Sequence, residues 1–203
     1  MLELKNVFLS RGGQPVVSDL SFVAKEGEVM CLVGGPGSGK TSLLMAILGL
    51  LPVEKGYITL DGEWINADSA ASFRQMIGYL PQDLAFPQGT VEEFLETLTH
   101  LKGNRASSFS QESLMKEWEK VGIDAAFLNR DITVVETSVI RAIILTVFLQ
   151  MPKEVFLVDG PQSGMEWQLV RSLARQGSCV VATAIDGRDG QYYDKQVIIN
   201  REQ

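Results

Sequence analysis

Gly34-Gly35-Pro36-Gly37-Ser38-Gly39-Lys40-Thr41 carries the pattern G-x-x-x-x-G-K-[ST] at every fixed position, and Ser42 follows directly. Residues of these types at this spacing suit one piece of chemistry, the binding of phosphate groups. The glycines let the backbone fold tightly with its N–H groups converging on one point, and a helix starting behind them adds unpaired donors and a positive dipole end. In such a cradle Gly35, Gly37, Ser38, Gly39 and Ser42 line the phosphates. Lys40 reaches the terminal phosphates, and the Thr41 hydroxyl supplies an oxygen ligand for Mg²⁺. A second candidate lies far along the chain, where the apolar run Val155-Phe156-Leu157-Val158 ends in Asp159. A carboxylate that closes a buried strand is expensive without a partner, so Asp159 is read as part of the Mg²⁺ environment, acting through water or the Thr41 hydroxyl.

The flanking sequence supplies the elements that would hold these groups. The run Val29-Met30-Cys31-Leu32-Val33 reads as a buried strand and residues 41–48 as a helix, so the glycine loop has the strand–loop–helix setting that phosphate binding needs. Before it, residues 2–9 and 16–23 read as two strands joined by a turn at residues 11–15. After it, Pro52 is expected to stop the helix, and residues 56–60 turn at Asp61-Gly62 into Glu63-Trp64-Ile65, a two-residue hairpin signal. Thr90-Val91-Glu92-Glu93 is a capping box opening a helix with Val91, Phe94, Leu95 and Leu98 on one face. Residues 110–121 repeat that theme with Leu114, Trp118 and Val121, stopping at Gly122, and Ser107-Ser108-Phe109-Ser110 reads as a linker. A buried helix centred on residues 143–149 is expected to take its cap from Thr137 or Ser138. Residues 167–176 and 179–183 complete the pattern as helix and strand.

Composition narrows the function classes. The chain has 203 residues, 45% hydrophobic, enough to bury a full core in one domain. A net charge of −7 argues against nucleic acid and against independent binding to anionic lipid. No apolar run approaches the roughly 20 residues needed to span a bilayer, and no signal peptide is read at the N-terminus, so a cytosolic chain without direct membrane insertion is expected. Cys31 and Cys179 sit inside apolar runs and read as buried reduced thiols. With His100 as the only histidine, a zinc site or a histidine-based triad has almost nothing to build from.

The order of two strands, phosphate loop, helix, hairpin and then Tyr79-Leu80-Pro81-Gln82-Asp83 resembles the ATP-binding cassette family, the nucleotide-binding subunits of ABC transporters. The resemblance implies an α/β P-loop NTPase fold of ABC type. Its parts are a mostly parallel sheet with helices on both faces, an antiparallel β subdomain and a helical lobe inserted at residues 85–150 of a single domain, 1–203. It further implies ATP and Mg²⁺ as cofactors, with Lys40, Gln82 and Asp159 as catalytic-site residues and Thr41, Gln82 and Asp159 around the metal. A membrane permease would dock between Gln82 and Val91 with Phe86 as an apolar anchor, and a second nucleotide-binding subunit, the same or different, would complete the site. The chain would then lie peripherally on the inner face of the membrane.

Several family features are replaced. The adenine-stacking aromatic gives way to Arg11, whose planar guanidinium could stack on a base, although an exposed turn arginine without a ligand role fits equally well. The L-S-G-G-[QE] signature becomes Ile132-Thr133-Val134-Val135-Glu136-Thr137-Ser138, with no glycine, ahead of an arginine, Arg141, at a position where the family often has one. Gly160 stands at the glutamate that polarises the attacking water, Glu166 at a dimer-contact aspartate and Ile185 at the switch histidine. These changes imply Mg·ATP binding with weak or absent hydrolysis. The alternatives are an active transport ATPase with Glu166 or Asp186 as the base, a small-molecule kinase, which would want a mobile lid with arginines where this chain offers only scattered ones such as Arg105 and Arg130, and a structural subunit with an empty pocket.

Overall fold

A computed structural model describes residues 1–101, 104 and 109–200. The chain runs β1 (Leu2–Arg11), β2 (Gln14–Ala24), β3 (Val29–Val33), α1 (Lys40–Ile47), β4 (Lys55–Leu60), β5 (Glu63–Trp64), α2 (Ala70–Met76) and β6 (Ile77–Leu80). It continues through α3 (Val91–His100), α4 (Gln111–Val121), α5 (Thr137–Phe148), β7 (Val155–Val158), α6 (Gly164–Arg175), β8 (Cys179–Ala184) and β9 (Lys195–Ile198). One sheet is parallel throughout, in the order β6-β7-β8-β3-β9, and the other is antiparallel, in the order β2-β1-β4-β5.

Strands β3, β7 and β8 are buried along their whole length, as apolar runs covered on both faces should be. Alternate side chains divide between two cores. Cys31, Phe156, Val158, Val180 and Ala182 face α5, α6 and the helices of the lobe. Met30, Leu32, Val155, Leu157, Cys179 and Val181 face α1 and the antiparallel sheet. The two cysteines therefore lie on opposite faces of the sheet and are free, with burial pushing each thiol up to about 12.

The lobe is built as its patterns indicate. Thr90 Oγ1 accepts from the Glu93 N–H at 3.2 Å and Glu93 Oε2 from the Thr90 N–H at 2.8 Å, closing the capping box of α3. Ser110 caps α4 and Gly122 ends it in the left-handed region. Val91, Leu95, Leu114 and Trp118 join the residues of α5 in one continuous core, so the lobe's helices have no separate interior. Of the linker stretch, Ser107 and Ser108 fall outside the described residues.

Local expectations fail in four places. Helix α1 ends at Ile47 and turns away through Gly49 at φ 66°, before Pro52 is reached. Helix α2 was missed because its only buried residues are Ala70 and Phe73, and its approach is set by Asn66, whose Oδ1 accepts from the N–H groups of Asp68 and Ser69. Helix α5 has Glu136 at its cap position with no side-chain cap bond, and Thr137 and Ser138 already lie inside its first turn. Helix α6 starts three residues earlier than expected because Ser163 Oγ accepts from the Glu166 N–H at 3.2 Å, which carries Glu166 into the first turn.

Helices α4 and α5 are joined by a buried polar contact. Trp118 Nε1–H donates to Thr146 Oγ1 at 3.0 Å, and the hydroxyl donates to the Ile143 carbonyl at 2.7 Å. Thr146→Val keeps the shape and strands the indole N–H, which should cost about 1–3 kcal/mol in urea unfolding. A change within error would mean that the indole finds another acceptor.

Candidate functional site

The glycine loop joins the end of β3 to the start of α1 and is fixed by its backbone. The Gly34 N–H donates to the Ala184 carbonyl at the end of β8 at 3.0 Å, and the Ser38 N–H donates to the Gly35 carbonyl at 3.2 Å. Gly39, at φ 101°, caps α1 where β2 passes so close that a Cβ would lie 2.6 Å from the Val16 carbonyl oxygen, so only glycine fits. Lys40 Nζ donates to the carbonyls of Gly34 and Gly35, the latter at 2.9 Å, and lies 3.4 Å from Ser38 Oγ. Burial pulls the ammonium below its ordinary pKa, and the charge of Asp159 opposes that pull.

Asp159 follows β7 and is 2% exposed. Thr41 Oγ1 donates to its Oδ2 at 2.7 Å and Thr183 Oγ1 to its Oδ1 at 2.6 Å, while the Gly160 N–H donates to Thr183 Oγ1 at 2.7 Å. Gly160 sits at φ 60°, in the left-handed region. There is room for a Cβ at this position, 3.7 Å from the Gln82 side chain, so it is the backbone conformation that disfavours an L-residue.

A buried charge stands behind these groups. Arg141, on α5, is 0% exposed and its Nε donates to Glu166 Oε2 at 2.9 Å. Its two terminal nitrogens donate to the carbonyls of Pro81 and Gln82 on one side and of Asp159 and Gly160 on the other. One guanidinium thus ties the Gln82 loop to the end of β7.

The residues singled out from the sequence converge. Arg11, Gly37, Ser38, Gly39, Lys40, Thr41, Ser42 and Gln82 line an open cleft of about 890 Å³, well matched to a nucleotide-sized ligand. Asp159 lies buried beneath it, bonded to Thr41. Gly35 is exposed on the loop, its carbonyl taken by Lys40. The donor set fits phosphate with a divalent cation: an ammonium, converging amides, a threonine hydroxyl and a buried carboxylate. Thr183 and the Arg141–Glu166 pair escaped the sequence reading. Thr183 had one available signal, since it is a hydroxyl at the end of an apolar strand that runs beside the strand ending in Asp159.

A family model described as ABC transporter matches residues 17–163. The chain belongs to the ABC transporter family. The glutamate/aspartate import ATP-binding protein GltL of Escherichia coli (strain K12) is 30% identical over 177 residues, covering 85% of this chain and 73% of that protein. The hemin import ATP-binding protein HmuV of Rhodococcus jostii (strain RHA1) is 27% identical over 209 residues, covering 98% of this chain and 72% of that protein. Among solved structures, a dimeric ATP-binding cassette in a post-hydrolysis state with ADP and Pi superposes with a TM-score of 0.81 at 20% identity, covering 100% of this chain and 97% of that one. The expected fold of a parallel sheet, antiparallel sheet and helices is thereby that of an ABC cassette, and membership replaces the small-molecule kinase reading, whose Arg105 lies outside the described residues.

In this ABC chain the candidate alternative bases are otherwise engaged. Glu166 is 0% exposed, is not among the residues lining the cleft, and is ion-paired with Arg141 rather than standing as a free carboxylate. Asp186 reaches the cleft but caps the turn Gly187–Tyr192, accepting from the Arg188 N–H and pairing with Arg188 Nε, each at 3.0 Å. Ile185 lines the cleft at 66% exposure. Residues 132–134 form a short turn in which the Ile132 N–H donates to the Gly89 carbonyl at 2.9 Å and the Thr133 N–H and hydroxyl donate to Asp131 Oδ1, and Val134 projects 72% exposed. Phe86 is half-buried against Phe94, ring centroids 5.8 Å apart, so one side of its ring packs on the lobe.

Glu166→Ala leaves the Arg141 charge buried without its counter-ion and should destabilise the chain by about 3–5 kcal/mol in chemical denaturation. A loss below about 1 kcal/mol, the range of an exposed ion pair, would show that the backbone carbonyls alone hold the guanidinium.

Proposed function

We propose that the chain is the ATP-binding subunit of an import-type ABC transporter complex, one that binds Mg·ATP with weak or absent hydrolysis and acts through binding-driven association with its partners. The carrying observation is the Thr41–Asp159 contact of 2.7 Å joining a complete phosphate loop to a strand-end carboxylate, followed directly by a left-handed glycine where a general base would stand. Thr41 and Asp159 would hold Mg²⁺, which would supply neutralisation of the phosphate charge. Lys40, the loop amides, Thr41 and Asp159 would hold and orient the nucleotide, with Gln82 at the edge of the cleft beside them.

The partners proposed are a membrane permease and a second cassette, the same or different, with the chain peripheral on the cytoplasmic face. No helix among the described residues is long and apolar enough to cross a membrane, so membrane contact would pass through the permease. The segment from Gln82 to Val91 is the proposed docking surface. The import functions for which GltL and HmuV are named support the transport direction.

The hydrolytic deficit does not depend on the pairing. In a homodimer each site would lack the base, the switch histidine and the signature donors. Beside an intact cassette, one site would lack the first two and the other the third. A positioned acid–base group is worth on the order of 10²–10⁴ in rate and a transition-state donor on the order of 10²–10³.

Mg·ATP at about 100 times its dissociation constant should stabilise the chain by roughly 2.7 kcal/mol in thermal melting, and Lys40→Ala should lose most of the shift. A flat melt to millimolar Mg·ATP would favour the structural subunit. Phosphate release at saturating Mg·ATP should be slow in the wild type. Gly160→Glu should not restore it, since the left-handed backbone there costs an L-residue about 1–2 kcal/mol and the other parts remain missing. Brisk Lys40-dependent turnover in the wild type would instead establish an active transport ATPase.

A further inference from the structure

We propose that Thr183 is the positioning residue that sets Asp159 for the cation of bound Mg·ATP, an assignment that rests on the nucleotide-binding reading above. Strands β7 and β8 are parallel neighbours with Val158 opposite Ala182, so the next pair in register is Asp159 and Thr183, both 2% exposed, with Thr183 lining the cleft and Asp159 beneath it.

The direction of the hydrogen bonds follows from the chemistry of the groups. A threonine hydroxyl has one proton and two lone pairs. Thr183 Oγ1 accepts the Gly160 N–H at 2.7 Å, and its own proton goes to Asp159 Oδ1 at 2.6 Å. Thr41 gives its proton to the other oxygen, Oδ2, at 2.7 Å. Both carboxylate oxygens therefore receive, which is the pattern of the ionised form, the form a divalent cation requires. Held by one hydroxyl, the carboxylate could still turn about its last torsion; held from both sides, it is fixed. Thr41 and Thr183 both line the cleft, so each carboxylate oxygen is held by a hydroxyl of the cleft wall.

Valine would fill the same volume at this strand end and satisfy the packing of β8. What it lacks is the donor to Asp159 and the acceptor for Gly160. The carbonyls of Asp159 and Gly160 are already taken by Arg141, so Thr183 completes the fixation of this turn from its N–H side. Groups that orient a ligating carboxylate in this way are worth about 10–100-fold in metal affinity.

The test measures ATP affinity in excess Mg²⁺ and again in EDTA for the wild type, Thr183→Ser, Thr183→Val and Thr183→Ala, with nucleotide-free melting temperatures alongside. The expected result is affinity in EDTA unchanged throughout, carried by the phosphate loop. Affinity in Mg²⁺ and the Mg²⁺ half-saturation point should shift about 10–100-fold in the valine and alanine variants and stay at the wild-type value in the serine variant. Equal losses with and without Mg²⁺, or a ranking by side-chain size with serine falling beside alanine, would overturn the assignment and leave Thr183 a packing residue. Unchanged Mg²⁺ dependence in Thr183→Val would overturn it while nucleotide binding stood. No binding by the wild type in either condition would remove the nucleotide reading itself, and this assignment with it.

Discussion

The guanidinium of Arg141 is a positive charge with no access to water, and its burial constrains everything around it. An ion in that position is tolerated only if its donors find acceptors. Here the acceptors come from three separate parts of the chain: the Pro81–Gln82 backbone, the Asp159–Gly160 backbone and the Glu166 carboxylate in the first turn of α6. Satisfying one side chain thus fixes the loop that leads into the helical lobe, the end of β7 and the start of the following helix relative to one another. Arg141 touches backbone oxygens only at the first two, so it sets where the chain runs and leaves the Gln82 and Asp159 side chains free for other partners.

The phosphate loop is held differently. Its attachment is main-chain, from Gly34 to the end of β8, and its tight packing comes from the absence of side chains where β2 crosses Gly39. The cleft therefore has two kinds of support: a backbone cradle that would grip phosphate, and a side-chain network beneath it built on Asp159. They meet at the single bond between Thr41 and Asp159. Binding parts gathered in one short local segment tolerate change elsewhere in the chain. A chemical step that needs groups from the ends of β7 and β8 and from the start of α5 does not.

That division also governs how much was legible in the sequence. The glycine loop, the strand ending in Asp159, the Asp61-Gly62 hairpin, the capping box at Thr90 and the left-handed stop at Gly122 are all readable because each physical cause lies within a few residues of its effect. Thr183 was hidden because its meaning depends on the register of two strands 24 residues apart. Glu166 was misread because the Ser163 cap draws it into a helix and turns it inward to Arg141, a partner 25 positions away. The cap of α5 falls one residue before Thr137 and two before Ser138: a hydroxyl residue beside a helix start looks like a cap whether it stands at the boundary or just inside it.

The two thiols carry a practical consequence. With both cysteines buried on opposite faces of the sheet and burial raising each thiol to about 12, the reactive thiolate form is strongly disfavoured at neutral pH. The folded chain is thus nearly silent to alkylating and maleimide reagents. A single cysteine engineered onto the surface would take a fluorophore or spin label selectively, with neither native thiol having to be removed.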